Sequence, residues 1–180
     1  PGRLANLSVR SVAGQGGETL IVGLLTAGAG QRQLLVRGVG PTLGQPPFNV
    51  PGVVADPLLR MFGGNAALLA ENDDWSASAD TALIAAATTQ VGAFPLPNPS
   101  KDAALLRTVD VPGGYTHHLA GAPSGTGVAL VEAYDTGGAT GGRLTNVSAR
   151  SRVGVGGDVL ITGFVITGGP LTVLIRGVGP

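Results

Sequence analysis

The strongest constraint on this 180-residue chain is an internal copy of part of itself. RLANLSVRSVAGQGGETLIVGLL at residues 3–25 lies over RLTNVSARSRVGVGGDVLITGFV at 143–165, with about half the positions identical, and LLVRGVGP at 34–41 returns as VLIRGVGP at 173–180. The second copy is one residue shorter between its second and third apolar runs. A match of this length at a nearly fixed offset is a duplication. Any fold for the chain must therefore place the same β unit at both ends.

The 31 glycines and 13 prolines, set between short Val/Leu/Ile runs, point to an all-β fold of antiparallel meanders and tight turns, arranged as one or more β-sandwiches. Residues 1–41 read as a first three-strand unit: Leu4 to Val12, Thr19 to Leu25 and Gln33 to Val39, separated at Gly14–Gly17 and Gly28–Gly30. Residues 143–180 repeat the plan with Leu144 to Val153, Val159 to Ile166 and Leu171 to Val178. Between them, residues 42–142 carry further strands, with turns at Pro112–Gly114 and Pro123–Gly127. This middle stretch also holds the one helical signal, about 80–91, with Ser78 or Asp80 as its cap and Gly92 as its stop. Leu83, Ala86, Ala87 and Val91 recur there at helical spacing and are expected to face the sheet, with Phe94–Ser100 as a surface loop beside them.

Composition removes several functions. Net charge is zero and only 12% of residues are charged, so there is no basic stripe for nucleic acid. The lack of cysteine removes disulfides and thiolate chemistry. No apolar run approaches the ~20 residues of a bilayer span, so membrane insertion by a helix is not expected. A start without methionine and a stop inside the repeated motif suggest a mature, processed or partial piece of something longer.

Residues that could carry chemistry are few. His117 and His118 are neighbours on an expected strand, so they point to opposite faces and cannot share a site. A G-x-S-x-G elbow is absent, and GQGGET and GVGGDV lack the ending and context of a phosphate loop, so no enzyme is expected. Asn72, Asp73 and Asp74, beside Glu71, are hard oxygen donors in one loop: either a Ca²⁺ site, with Asp56 or Asp135 as the distant ligand, or an acidic turn facing water. The asparagine triplets at Asn6 and Asn146 follow from the duplication. Arg37 and Arg176, with Arg10 and Arg150, recur on otherwise apolar strands, where a guanidinium needs an acceptor; they are expected to act as structural clamps across strand ends, with a ligand carboxylate or sugar as the other reading.

Residues 56–135, through DPLLRMF, LLAENDDW, VPGGYTHHLAG and GTGVALVEAYD, resemble the pre-peptidase C-terminal type of β-sandwich found on secreted bacterial proteins. The helix and the proline-rich loop depart from that pattern. The two ends resemble an LIRGVGP β-repeat of large secreted or surface proteins of environmental bacteria. Both resemblances imply an extracellular or cell-surface, non-catalytic role. The expectation is a structural module that binds copies of itself into a filament, fibre or surface array, its C-terminal unit packing either on the N-terminal unit of its own chain, with the middle region as an insertion, or on that of the next chain, the arrangement favoured here. The rivals are a carbohydrate-binding or adhesive module, resting on Trp75 beside the acidic loop, and an accessory domain of a secreted hydrolase.

Overall fold

A computed structural model describes residues 2–137 and 141–179. The fold is all-β: β1 (Arg3–Ala13), β2 (Leu20–Val39), β3 (Pro57–Phe62), β4 (Leu68–Asn72), the helix α1 (Thr81–Gln90), β5 (Ala103–Gly121), β6 (Gly127–Asp135), β7 (Arg143–Arg150) and β8 (Ile161–Thr167). All strands pair antiparallel in one eight-stranded sheet with the path β4-β3-β5-β2-β6-β1-β7. Further pairing of β2 with β7 curls it into a barrel-like closure, and β8 adds to β1.

The expected three-strand meander is replaced by something more economical. The runs expected as Thr19–Leu25 and Gln33–Val39 fall, from Leu20 on, in the two halves of the single 20-residue strand β2, which bends where Gly28 and Gly30 take φ of 110° and 84°. β5 bends with it. Gly113 and Gly114 continue the strand instead of turning it, and Pro112, which has no N–H to give, falls at the irregularity opposite Thr26–Gly30.

The two copies are interleaved. β1 and β2 do not pair with each other; β1 pairs with β8 and β7 pairs with the first half of β2. The registers are the same contact seen twice: Leu7 faces Phe164 as Val147 faces Leu24, and Ser8 faces Gly163 as Ser148 faces Gly23. Two residues meet their own duplicates. Leu4 is paired with Leu144, and the Ser11 and Ser151 hydroxyls lie 2.7 Å apart. A pseudo-two-fold axis therefore runs between β1 and β7. Gly23 and Gly163 permit close approach there: a Cβ on either would stand 2.5 Å or 3.1 Å from the serine hydroxyl opposite, so that hydroxyl would have to move.

Within this chain the two copies pair with each other, as the single-chain alternative has it. The middle region shares the sheet as well, with β5 and β6 flanking the second half of β2. Val9, Leu24, Val36, Leu59, Leu119 and Leu144, drawn from all three regions, pack in one core. A second core lies on the other face of β2 and β5, where Leu35, Val39, Trp75, Ile84, Leu96 and Leu106 meet under α1. Strand residues 34–39 are consequently buried on both faces.

The helix lies where the sequence places it, but rotated. Leu83 is 60% exposed, while Ile84 at 1%, with Ala87 and Thr88, faces the sheet. The apolar face is thus 84, 87 and 88, set by the fit of Ile84 into the second core, and Ala86 is exposed. The following loop is only partly a surface feature, because Leu96 is drawn into the same core. The third strand expected in the second copy, Leu171–Val178, is exposed and pairs with no strand among the described residues. Ile84→Ala is expected to cost about 2–5 kcal/mol and Leu83→Ala to stay within about 0.5 kcal/mol, measured by urea unfolding.

Candidate assembly interface

Arg37 sits on β2 directly across from Glu132 on β6. Its Nε donates to Glu132 Oε2 at 3.0 Å, Nη2 donates to the same oxygen, and Nη1 donates to the Phe94 carbonyl at 2.6 Å. The guanidinium carbon lies 4.3 Å from the centre of the Phe94 ring. Tyr134 donates its hydroxyl to the other glutamate oxygen at 2.7 Å, and burial first, then the Glu132 charge, push its phenol pKa upward. Every atom of the guanidinium is out of solvent. Arg37 is thereby a clamp between β2, β6 and the loop after α1.

The turn that follows is fixed by Asp102, which is fully buried. Its carboxylate accepts from the N–H groups of Gly40 at 2.8 Å and Thr42 at 3.3 Å, and from the hydroxyls of Thr42 and Ser100. Glycine is needed in RGVGP for close approach. A Cβ on Gly38 would lie 2.4 Å from Leu119 Cδ1, and one on Gly40 2.2 Å from the Val54 carbonyl oxygen.

A second clamp, Arg32 with Asp135, is bidentate at 2.6 and 2.9 Å and buried. Sequence reasoning missed it because Arg32, between Gln31 and Gln33 in what read as a loop border, has no duplicate: Leu171 stands at its place in the second copy. Asp102 and Glu132 were missed as well. The signal available for Glu132 was a lone acid within the apolar run GVALVEAYD.

The other arginines differ. Arg176 is exposed, Arg10 is half-buried and Arg150 is exposed, so among the described residues Arg37 alone of the four expected clamps has its acceptors in place. The acidic loop is not assembled as a ligand set. Asn72 turns inward, its Oδ1 accepting from the Ala104 N–H at 2.9 Å and its Nδ2 donating to the Asp74 carbonyl at 3.2 Å. Lys101 donates to Asp56; that bond, with the charges of Asp56, Asp74 and Asp73, raises its pKa, so a lysine cation already faces these acids. Among the described residues no three His, Asp or Glu side chains converge on a metal position, and Asp135 is engaged by Arg32. Trp75 is buried in the second core and its indole N–H donates to the Pro97 carbonyl at 3.0 Å, so it is not offered as a sugar platform.

The two histidines divide as expected, His117 inward and His118 half-buried. His117 lies near the Val22 backbone, but neither ring nitrogen has a hydrogen bond of normal geometry, and burial drives its pKa down to about 4. Burial likewise lowers His118, helped by the charges of Arg150 and Arg60.

The chain matches no protein-family model, no curated protein and no solved structure. What the sequence repeats, and the fold uses to bind one copy to the other, is the strand interface.

Two outcomes follow from these sites. Arg37→Ala strands Glu132 in the interior and is expected to cost about 3–5 kcal/mol, whereas Arg176→Ala should change stability by less than about 0.5 kcal/mol, both read by urea unfolding. The folded state keeps His117 neutral while the unfolded chain takes up a proton near its usual value of 6.5, so stability falls as pH drops from 6.5 to about 4. His117→Leu should remove that portion, about 3 kcal/mol at most, from a comparison of urea midpoints at the two ends of the window.

Proposed function

We propose that this chain is a non-enzymatic extracellular structural module whose duplicated β units join one module to the next, building a filament, fibre or surface array. The observation that carries the reading is the reciprocal register, Leu7 on Phe164 and Val147 on Leu24, in which each copy's first strand completes the other copy's second. An interface made of two equivalent halves is a means of joining two equivalent bodies. The buried charges support the same reading. Arg37–Glu132 and Arg32–Asp135 hold strands together, and Asp102 holds a turn, so these groups serve cohesion. Zero net charge lowers repulsion between modules.

The joint has a consequence for assembly. A two-fold contact is isologous and closes once two copies have met, so growth cannot come from repetition of that contact alone. It comes from modules strung along a chain, paired by their β units.

Residues 1–142, made without the second copy, leave β1 and the first half of β2 with bare edges. They are expected to form a two-fold dimer in which β1 and the first half of β2 of one chain take the places of β7 and β8 on the other, with twice the monomer mass in analytical ultracentrifugation. Gly23→Val should abolish that dimer, because Ser8 of the second chain would face the new side chain as Ser148 faces Gly23 now. A folded monomer, or a chain that cannot fold without residues 143–180, contradicts the reading.

A further inference from the structure

The second copy is unfinished in one particular way. β1 has β6 on its far side and the first half of β2 has β5, but among the described residues β7 and β8 have no strand at the matching edges. The last segment shows the same deficit. Leu174, Ile175 and Val178 are 85%, 72% and 79% exposed, while their duplicates Leu35, Val36 and Val39 are 0%, 2% and 0% exposed between β5 and β6. Every missing neighbour of the second copy is a β5 or a β6.

The residues of that segment are built for the missing neighbours. Gly163 has its reason inside this chain, in the Ser8 hydroxyl, as Gly23 has in Ser148. Gly177 and Gly179 have none: a Cβ on either would meet nothing within 4 Å, although their duplicates Gly38 and Gly40 are pressed against Leu119 and Val54. Arg176 likewise keeps the guanidinium of Arg37 but stands exposed, with no carboxylate across from it like Glu132.

We propose that residues 171–179 are an unfilled strand whose partner is a second copy of the 42–142 sheet joined after residue 180, with a β5-type strand on one side, a β6-type strand on the other and a glutamate facing Arg176. The β5 and β6 of another complete chain are not available for this, because β2 already runs between them for its second half and is anchored by Arg37. The occupant must bring the two strands without a β2 of its own. Filling the slot gives Leu174, Ile175 and Val178 the burial of their duplicates and completes a second module, related to the first by the pseudo-two-fold axis. The proposal rests on reading the β units as joints between modules, and it names what each joint must receive.

The test is a longer chain, residues 1–180 followed directly by a second copy of 42–142, examined by hydrogen exchange with mass spectrometry. Peptides covering 171–179 should exchange fast in the 180-residue chain and at least about a hundredfold more slowly in the longer one. Gly177→Val should leave the 180-residue chain unchanged and abolish that protection in the longer one; Arg176→Ala should weaken it. Protection that fails to appear overturns the proposal, whether or not the added residues fold. So does protection indifferent to both substitutions, or protection that arises in the 180-residue chain on concentration. Dimer formation by residues 1–142 does not involve this slot, so a failure here with that dimer intact removes the occupant and leaves the joint.

Discussion

The structure depends on one constraint: a strand with an unpaired edge and an apolar face must find a partner, and in this chain the partner of each copy is the other copy. β1 and β2 are successive in sequence and short in connection, which ordinarily makes a hairpin. Here the turn at Gly14–Thr19, where the Gly14 N–H donates to the Glu18 carbonyl, brings them close without pairing them. The same turn recurs with Gly154 and Asp158. Two strand pairs with the same open edges interlock about a two-fold axis, and Leu4, Leu7 and Leu24 become core only because Leu144, Val147 and Ile166 are packed there.

Onto that interlock the middle region adds what a β unit cannot supply alone. The second half of β2 is covered on both faces, by the main core and by α1 with its neighbouring loops, and it is buried enough that its one arginine must carry its own counter-ion. A buried pair of this kind contributes little net stability compared with apolar residues, yet it penalises any other register heavily. Arg37 across from Glu132 fixes which residue of β2 meets which residue of β6, and Gly38 leaves room for the Leu119 side chain against β2. Asp102 then stops the strand by engaging the N–H groups of Gly40 and Thr42.

Much of this was legible. The duplication, the all-β class, the helix near residues 80–91, the opposite facing of His117 and His118, and a clamp at Arg37 could each be read from local pattern. The exchange of strands between copies could not, because a register between distant strands leaves no local trace and the sequence is consistent with either partner. The helix phase was missed for a related reason: Ala82 to Ala87 is apolar nearly all round, so only the cavity that receives Ile84 selects a face. The bend shared by β2 and β5 read as two turns, since glycines at a bulge and glycines at a hairpin look alike until their partner is known. The acidic loop invited a metal because the hydrogen bond of Asn72 to the Ala104 N–H and the approach of Lys101 join the loop to residues distant in sequence.

The central claim is that the two copies meet each other within one molecule about the axis through Ser11 and Ser151. The chain has no cysteine, so replacing both serines by cysteine introduces a single pair. Their hydroxyls are 2.7 Å apart, close enough for two sulfurs to reach the bond length of about 2.0 Å with small adjustment. On mild oxidation at low protein concentration, the double variant should form an intramolecular disulfide quantitatively, seen as a loss of two hydrogens in the intact mass with no change in molecular size. Free thiols that persist, or a disulfide found only between chains, would contradict the interlocked arrangement from which the rest of the account follows.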